Sequence, residues 1–328
     1  MSLPADHYSH PNFKTEWWYY TGNLESETGK KYGYQVTFFR FGLRDQQNWY
    51  LGLLGLSEIY MAHFALSDVD QNTFVFSERI NRGFRNKAGA AIDRYLLWNE
   101  DWKVEANQTN HMIRVQNRGT ELRLTLELLK PAVLHGEDGF SKKSNAAASY
   151  YYSLTRMATT GTVAIDGKSE TVRGLSWMDH EFGSKHLDDD QVGWDWFSIQ
   201  LDDQTELMFY VIRRKDGSPD LYSNGTLVNA DGETKHLRLS DFQIDILDWW
   251  KSAKSAAKYP TKWKVSVPAE EIELQILPVF PDQELITDRS TQVTYWEGAV
   301  TINGVMRNKP IAGFGYVEMT GYAGKLTI

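Results

Sequence analysis

Hydrophobic and polar residues alternate in short segments from one end of the chain to the other. This alternation is typical of β-strands that turn one face toward a core. Examples of these segments are KYGYQVTFFRFG, ELRLTLELL, ELMFYVIRR and IELQILPV. Asp-Gly and Asn-Gly pairs, which favour tight hairpin turns, stand between segments at residues 166–167, 216–217, 231–232 and 303–304. The pattern predicts an all-β chain of meandering antiparallel hairpins.

Helical signals are weak. Residues 246–259, ILDWWKSAKSAAKY, have some helical spacing that stops at Pro260. A strand over residues 241–250 followed by an irregular loop fits nearly as well. Residues 141–152, SKKSNAAASYYY, are predicted to form a polar loop with or without a helical turn.

Two internal similarities indicate how the chain is divided. The segment GTVAIDGKSETVRGLSWMD resembles the later GAVTINGVMRNKPIAGFGYVE, which aligns Trp177 with Tyr316 and Asp179 with Glu318. The segment WWYYTGNLESETGKKYGYQVTFFR likewise resembles WDWFSIQLDDQTELMFYVIRR. Two similarities in the same order favour an internal duplication over chance likeness among hairpins. We therefore predict two barrel-like domains, residues 1–187 and 188–328, because closing each sheet removes its exposed edges.

Composition narrows the possible partners. The chain has 35 basic and 43 acidic residues, a net charge of -8, so nucleic acid is not an expected partner. Cysteine is absent, which excludes disulfides, thiolate metal sites and thiol nucleophiles. No apolar run reaches the roughly 18 residues of a membrane helix, and MSLPADHYSHP lacks the features of a signal peptide. The 12 tryptophans, 17 tyrosines and 15 phenylalanines exceed the needs of a minimal core.

The segment SWMDHEFGS places three ionisable residues side by side. On a strand, Trp177, Asp179 and Glu181 share one face, and His180 lies on the other. If both faces are buried, desolvation shifts the pKa values of these groups, as general acid–base catalysis requires. The alternative is structural, because such a triplet can also hydrogen-bond loops and an arginine where two domains meet. Both interpretations stay open.

A second acidic candidate is Asp195, which lies between Trp194 and Trp196. The apolar residues Phe197 and Ile199 follow on its own face of the strand. An inward aspartate beside indole rings is a candidate proton donor.

Three further polar residues accompany aromatic or apolar segments near the N-terminus. Glu16 and Trp18 share a face of their strand, so a carboxylate again accompanies an indole. Arg40 in TFFRFG and His63 in YMAHFAL interrupt apolar alternation, and each needs a partner if it points inward. A lone histidine of this kind is more often a satisfied core residue than a catalyst.

Metal and cofactor chemistry are not expected. His180, Glu181 and His186 are close in sequence, but neighbouring strand residues diverge and lack the same-face spacing of a zinc motif. The sequence has no G-x-S-x-G elbow, no phosphate loop and no dinucleotide-binding glycine motif between a strand and a helix.

Several motifs in fixed order resemble the AttH-like and carotenoid 1,2-hydratase family. They are EWWYYTGNL, YSLTR beginning at Tyr152, GLSWMDHEFGS, GWDWFSIQLDD, YWEGAV and GYVEMTGY, and they cover essentially the whole chain from about residue 10. Phe182 stands where the carotenoid enzymes are expected to have tryptophan, so the chain looks closer to the AttH-like branch, often described as predicted secreted hydrolases. The resemblance implies two consecutive lipocalin-like antiparallel β-barrels packed against each other. It also implies the periplasm or cell envelope, with the cytoplasm as the alternative.

For the hydratase relatives, the resemblance implies addition of water to an isolated carbon–carbon double bond of an apolar isoprenoid, without a cofactor. Asp195 or Asp179 would donate the proton, and His180 or Glu181 would orient the water. Indole faces would stabilise the carbocation. The ligand contacts expected on this hypothesis are Trp177, Trp194, Trp196, Glu16, Trp18, Arg40, His63 and Tyr152.

Three functions therefore compete. The first is a cofactor-independent hydratase or isomerase acting on an unsaturated lipid-like compound. The second is a non-catalytic carrier of a hydrophobic small molecule, in which the acids only join the domains. The third is a carbohydrate hydrolase with two carboxyl groups about 5 to 9 Å apart across an open cleft. An enclosed apolar cavity favours the first two functions, and an exposed tryptophan groove favours the third.

Overall fold

Antiparallel strands form nearly all the regular structure. The computed structural model describes residues 1–43 and 57–326. Within these ranges the strands are β1 (Thr15–Ser26), β2 (Lys31–Gly42), β3 (Glu58–Asp68), β4 (Thr73–Arg82), β5 (Ala88–Ala90), β6 (Leu96–Asn99), β7 (Trp102–Ala106), β8 (Asn110–Asn117), β9 (Thr120–Leu128), β10 (Val133–Leu134), β11 (Phe140–Lys142), β12 (Ala148–Ile165), β13 (Lys168–Lys185), β14 (Gln191–Leu201), β15 (Glu206–Arg214), β16 (Asn224–Val228), β17 (Thr234–Arg238), β18 (Gln243–Lys251), β19 (Lys258–Val267), β20 (Ile272–Pro278), β21 (Glu284–Ile286), β22 (Thr294–Met306) and β23 (Lys309–Met319).

Helical structure in the described ranges is limited to single 3-10 turns at Ala5–His7, Phe84–Asn86, Leu239–Asp241 and Pro268–Glu270. In this part of the chain, no helix has the length and apolar character needed to span a bilayer. The predicted all-β class is confirmed.

The first sheet curls into a near-barrel. Its strand order is β4-β3-β2-β1-β13-β12-β9-β8-β7-β6-β5, and β10 and β11 pair with β12. The two edges approach each other, since Asn99 Nδ2 donates to the carbonyl of Tyr60 at 3.1 Å and Asn81 Nδ2 donates to Asn99 Oδ1 at 2.7 Å. Large buried side chains, including Tyr20 and Phe64, fill the inside of this barrel.

The second sheet forms a half-barrel with the order β17-β16-β15-β14-β23-β22-β20-β19-β18, and β21 pairs with β22. Phe197, Phe209, Trp263 and Val300 pack on its inner face. The two curled sheets agree with the predicted pair of lipocalin-like barrels.

The two sheets repeat one arrangement at their centres. The order β2-β1-β13-β12 in the first sheet corresponds to β15-β14-β23-β22 in the second. These are the strands that contain the two internal sequence similarities, although a duplication of the chain stays a prediction. The predicted boundary between residues 187 and 188 lies in the connection between β13 and β14.

The weak helical signals do not correspond to helices. Gln243–Lys251 is a strand and Lys258–Val267 is the next one, so the strand-and-loop alternative was right. Pro260 does not end a helix. It lies near the start of β19, in the part of that strand that pairs with β18 but not with β20. Residues 141–152 contain the end of β11 and the start of β12, with a loop between them.

The central strands of both sheets are buried on both faces. In β1, Trp18 and Tyr20 point into the first barrel, whereas Trp17 and Tyr19 point toward the second sheet. The same alternation holds in β2 and β13, since successive strand residues point to opposite faces. The aromatic run EWWYYTGNL therefore serves two separate packing layers.

The layer between the sheets contains close backbone contact and a buried ionic network. A Cβ on Gly33 would lie 2.5 Å from the Cβ of Ala299, so only glycine allows this approach. Glu206 of the second sheet pairs with Lys130 Nζ at 2.8 Å and also accepts a hydrogen bond from Arg156 Nε. Lys130 and Arg156 both belong to the first half of the chain, so this network joins the two halves.

The substitution Glu206→Gln tests the contribution of this network. It leaves the charges of Lys130 and Arg156 buried without their carboxylate, and we expect the free energy of unfolding to fall by about 3–5 kcal/mol. Urea unfolding followed by tryptophan fluorescence measures the change.

The matched control is Glu273→Gln, which removes the exposed ion pair with Lys264. We expect this control to cost less than about 1 kcal/mol. Equal and small losses in the two variants would show that the network does not hold the halves together.

Candidate active site

A cavity of about 190 Å³ lies between the two sheets. Its wall is mostly aromatic and aliphatic, and it also contains the carboxyl groups of Asp179, Glu181, Glu297 and Glu318. The other lining residues are Trp17, Tyr19, Thr37, Phe39, Phe41, Met61, His63, Tyr151, Trp194, Trp196, Tyr210, Ser290, Thr291, Val293, Tyr295, Thr320 and Leu326. The cavity is therefore formed by the outward faces of β1–β3, β12 and β13 against β14, β15, β22, β23 and the connection between β21 and β22.

Asp179 is held by three hydrogen-bond donors. Ser153 Oγ and Trp177 Nε1 donate to its Oδ1, each at 2.5 Å, and the Tyr151 hydroxyl donates to Oδ2 at 2.6 Å. Burial raises the pKa of Asp179 to about 7, against the opposing effect of these hydrogen bonds. The group can therefore exchange a proton near neutral pH.

Glu318 has the same proton affinity with fewer partners. Its Oε2 accepts a hydrogen bond from Trp194 Nε1 at 3.0 Å. Desolvation raises the pKa of Glu318 to about 7, and the negative charges of Asp179 and Glu181 add to the rise. The side chain stays partly accessible because it borders the cavity.

Glu181 is the ionised member of the group. Burial alone would raise its pKa, but Lys143, His186 and Ser149 together lower the pKa of Glu181 to about 2. Lys143 Nζ lies 3.2 Å from Glu181 Oε1 and 3.9 Å from the centre of the Tyr210 ring. The nearby Lys143 therefore favours the ionised form of Glu181 beside the cavity.

Glu297 is the least compensated carboxyl group. It faces Glu318 across the β22–β23 pair. Burial raises the pKa of Glu297 well above its usual value, and the charge of Glu318 raises it further. The hydroxyls of Tyr19 and Tyr295 oppose this rise, but neither carboxyl oxygen has a partner of hydrogen-bond geometry within the described ranges.

The cavity brings together five of the side chains predicted from the sequence: Asp179, Glu181, Trp194, Trp196 and His63. His63 is buried between partners, with Nδ1 2.7 Å from the Tyr295 hydroxyl and Nε2 2.8 Å from Ser290 Oγ. Burial lowers the pKa of His63 to about 3, so the ring is neutral. Trp177 lies behind the wall, where it orients Asp179.

Asp195 does not line the cavity. It shares a face of β14 with Phe197, inside the second barrel, whereas Trp194 and Trp196 point to the other face. It pairs with Arg213 and accepts a hydrogen bond from the Tyr322 hydroxyl at 3.1 Å. The predicted aspartate beside two indoles is separated from them by strand alternation.

His180, Glu16, Trp18, Arg40 and Tyr152 form a different cluster, on the inner face of the first barrel. Glu16 Oε1 lies 2.9 Å from His180 Nε2, and Arg40 Nε donates to Glu16 Oε2 at 3.0 Å. The Tyr152 hydroxyl lies 3.2 Å from His180 Nδ1, and the Trp18 ring stacks on His180. Arg40 also donates to two backbone carbonyls of the N-terminal segment. His180 is therefore hydrogen-bonded to Tyr152 and Glu16 inside the first barrel and does not line the cavity.

The same cluster contains the donor atoms of a conceivable metal site. Ligand atoms of His10, Glu16 and His180 lie within 4.8 Å of one another. Each imidazole already contacts Glu16, and Arg40 compensates the carboxylate charge. The negative charge of Glu16 is therefore already compensated by protein groups, without a metal cation.

Sequence reasoning did not select Glu318, Glu297 or Lys143. A signal for Glu318 was present, because the internal similarity aligns it with Asp179, and both prove to border one cavity. Glu297 interrupts the apolar pattern of YWEGAV in the way that Arg40 does in TFFRFG. Lys143 lies in a polar loop, and the sequence contains no sign that this loop is buried.

Comparisons with known proteins identify the family. A family model described as AttH-like matches residues 1–322, and the chain belongs to this family. An AttH-type protein of Nitrosomonas europaea has a crystal structure with a TM-score of 0.88 and 34% identity, covering 98% of this chain and 97% of that one. The resemblance drawn from the motifs is confirmed.

Kievitone hydratase appears among both the structural and the sequence relatives. Its structure from Nectria haematococca has a TM-score of 0.76 at 16% identity, covering 98% of this chain and 93% of that one, which shows a common fold. Kievitone hydratase of Fusarium solani subsp. phaseoli is 25% identical over 181 residues, 52% of this chain and 48% of that protein. The match therefore spans about half the length of this curated relative.

The raised pKa of Glu318 predicts a dependence of stability on pH. Its pKa is about 7 in the folded protein against 4.5 in an exposed glutamate, so the folded state binds this proton more tightly. Stability should therefore fall as pH rises from about 4.5 to 7. Glu318→Gln stays neutral, and we expect it to exceed the wild type at pH 8 by about 3 kcal/mol, with little difference at pH 5.

Thermal and urea unfolding at the two pH values measure this effect. Glu127→Gln, at an exposed position of β9, is the control and should match the wild type at both. A Glu318→Gln variant that is less stable than the wild type at pH 8 would show that this carboxylate is stabilised when ionised.

Proposed function

We propose that the cavity between the sheets is the active site of a cofactor-independent hydratase. The reaction is the addition of water to an isolated carbon–carbon double bond of an apolar small molecule. The single observation that carries the proposal is a pair of carboxyl groups, Asp179 and Glu318, with pKa values of about 7 in an aromatic cavity. Such a pair can hold one proton and one negative charge at neutral pH.

Glu318 is the better proton donor of the pair. Three hydrogen bonds to Asp179 favour its carboxylate, whereas Glu318 accepts one from Trp194. Transfer of the Glu318 proton to one alkene carbon forms a C–H bond and leaves a carbocation on the other. The π electrons of the double bond form the new bond, and Glu318 becomes a carboxylate.

The wall of the cavity stabilises the cation. The aromatic rings of Trp17, Tyr19 and Trp196 border the space, and a desolvated cation over an aromatic face gains about 2 kcal/mol. Glu181 adds a negative charge, because Lys143 favours its ionised form. These groups favour the charged intermediate over the neutral substrate, as transition-state stabilisation requires.

Water capture completes the reaction. The oxygen of a water molecule bonds to the cationic carbon while the Asp179 carboxylate accepts one of its protons. Return of that proton to Glu318 restores the starting state. The sum is alkene plus water giving alcohol, with no electron transfer, so the reaction needs no redox cofactor.

Membership of the AttH-like family and similarity to kievitone hydratase support this class of reaction. The carrier function would use the same cavity without turnover. The mainly apolar lining between two sheets favours an apolar ligand over a carbohydrate, which needs polar contacts along its length.

Glu318→Gln and Asp179→Asn test the assignment. With citronellol, which has one isolated trisubstituted double bond, we expect the wild type to form a diol with oxygen from ¹⁸O-labelled water. Each variant should lose about 10²–10⁴-fold in kcat, because general acid–base catalysis contributes this much. Ligand binding, measured by tryptophan quenching, should be retained.

The comparison variant is Asp195→Asn, since Asp195 lies outside the cavity and should affect turnover little. Loss of turnover in Asp195→Asn alone, with its fold intact, would overturn the assignment. Binding by the wild type without turnover on any alkene of a panel of isoprenoid alcohols and prenylated phenols would favour the carrier.

A further inference from the structure

Beside the cavity, the layer between the sheets has an unusual concentration of buried oxygen atoms without a partner of hydrogen-bond geometry. Both carboxyl oxygens of Glu297, the hydroxyls of Tyr19 and Tyr316, Thr21 Oγ1 and Gln35 Oε1 are buried without a hydrogen-bond partner within the described ranges. Buried polar groups in proteins nearly always have a hydrogen-bond partner, and each group without a partner lowers stability by about 1–3 kcal/mol. Such a group of orphaned atoms indicates a place where another oxygen-bearing molecule completes the hydrogen bonding.

These atoms come from both sheets. Tyr19 lies on β1 of the first sheet, and Glu297 and Tyr316 lie on β22 and β23 of the second. Burial raises the pKa of Tyr19, and the nearby Glu297 raises it further by its charge and by a hydrogen-bond interaction that lacks good geometry; Tyr316 also interacts electrostatically with Tyr19 and Glu297. Thr21 is the next residue of β1 on the face of Tyr19, and it is paired with Gln35 of β2.

This region is continuous with the candidate active site. Tyr19 and Glu297 belong to the cavity wall, and Glu297 is the cross-strand neighbour of Glu318. A molecule that contacts Glu297 therefore extends to the proposed proton donor.

The chemistry of the group favours a neutral oxygen. Glu297 has no cation among its described contacts, and its neighbour Glu318 is also acidic, so the protonated form is favoured. A protonated carboxyl and two phenols supply O–H donors and also acceptor lone pairs. A hydroxyl or carbonyl group can use both, whereas an anion would be repelled by the charge of Glu181, and desolvating a charged group costs far more.

We propose that Glu297, Tyr19 and Tyr316 form a subsite for a neutral hydroxyl or carbonyl oxygen of the substrate. The inference rests on the proposed function in placing the substrate in this cavity, and it narrows the substrate class. The substrate is an apolar molecule that bears an oxygen function away from the reacting double bond, not a pure hydrocarbon.

A series of matched aromatic probes tests the subsite without any turnover. Binding of naphthalene, 2-naphthol, 2-naphthoate and 2-naphthylmethylamine is measured at pH 7 by tryptophan quenching and calorimetry. We expect the wild type to bind 2-naphthol at least about 10-fold more tightly than naphthalene, and 2-naphthoate more weakly than both.

Variants assign the preference to particular residues. Glu297→Leu should abolish the advantage of 2-naphthol over naphthalene, and Glu297→Gln should keep most of it, because an amide both donates and accepts. Tyr316→Phe removes a single hydroxyl and should reduce the advantage in part. It also provides a second measurement if Glu297→Leu fails to fold, and circular dichroism monitors folding.

Equal binding of 2-naphthol and naphthalene by the wild type would overturn the subsite, as would tightest binding of the ammonium probe. A different result would contradict the hydratase proposal. A naphthol preference that depends on Glu297, with no hydration of any alkene, would support the subsite and reject the proposed reaction.

Discussion

The structure depends on strands that bury both faces. In β1, β2 and β13, one face fills the first barrel and the other meets the second sheet. An ordinary antiparallel sheet exposes one face to water and can place polar residues there. Over the central part of these strands neither face is available to water, so Glu16, Asp179 and Glu181 are desolvated and need compensation from a neighbour.

The carboxyl groups of the cavity differ mainly in how fully they are compensated. Within the part of the chain that the structure describes, Glu181 has the ammonium group of Lys143, Asp179 has three hydrogen-bond donors, Glu318 has one indole and Glu297 has no partner of hydrogen-bond geometry. Their pKa values rise in nearly the same order, from about 2 for Glu181 to well above the usual range for Glu297. One shared environment therefore contains a group that favours the carboxylate, two groups that exchange protons near neutrality, and a group that favours the protonated form.

The fold could be predicted because alternation and turn residues are local signals. The separation of Asp179 from His180 was also predictable, since a strand places adjacent residues on opposite faces. Asp195 shows the limit of this reasoning. Alternation correctly places Asp195 on the same face of β14 as Phe197. It does not indicate which face of β14 meets the other sheet. Lys143 shows another limit, because its burial depends on long-range packing that a polar loop sequence does not indicate.

Alternation also separates the residues that hold the barrel from those that shape the cavity. Even-numbered positions of β1 and β2 pack inside the first barrel, and odd-numbered positions reach the cavity layer. Substitutions at the odd-numbered positions can therefore change which ligand the cavity binds without altering the side-chain packing inside the first barrel. Inserting or deleting a single residue within these strands would exchange the two sets, so evolution of new specificity in this scaffold is confined to substitutions, and changes in length are confined to the turns.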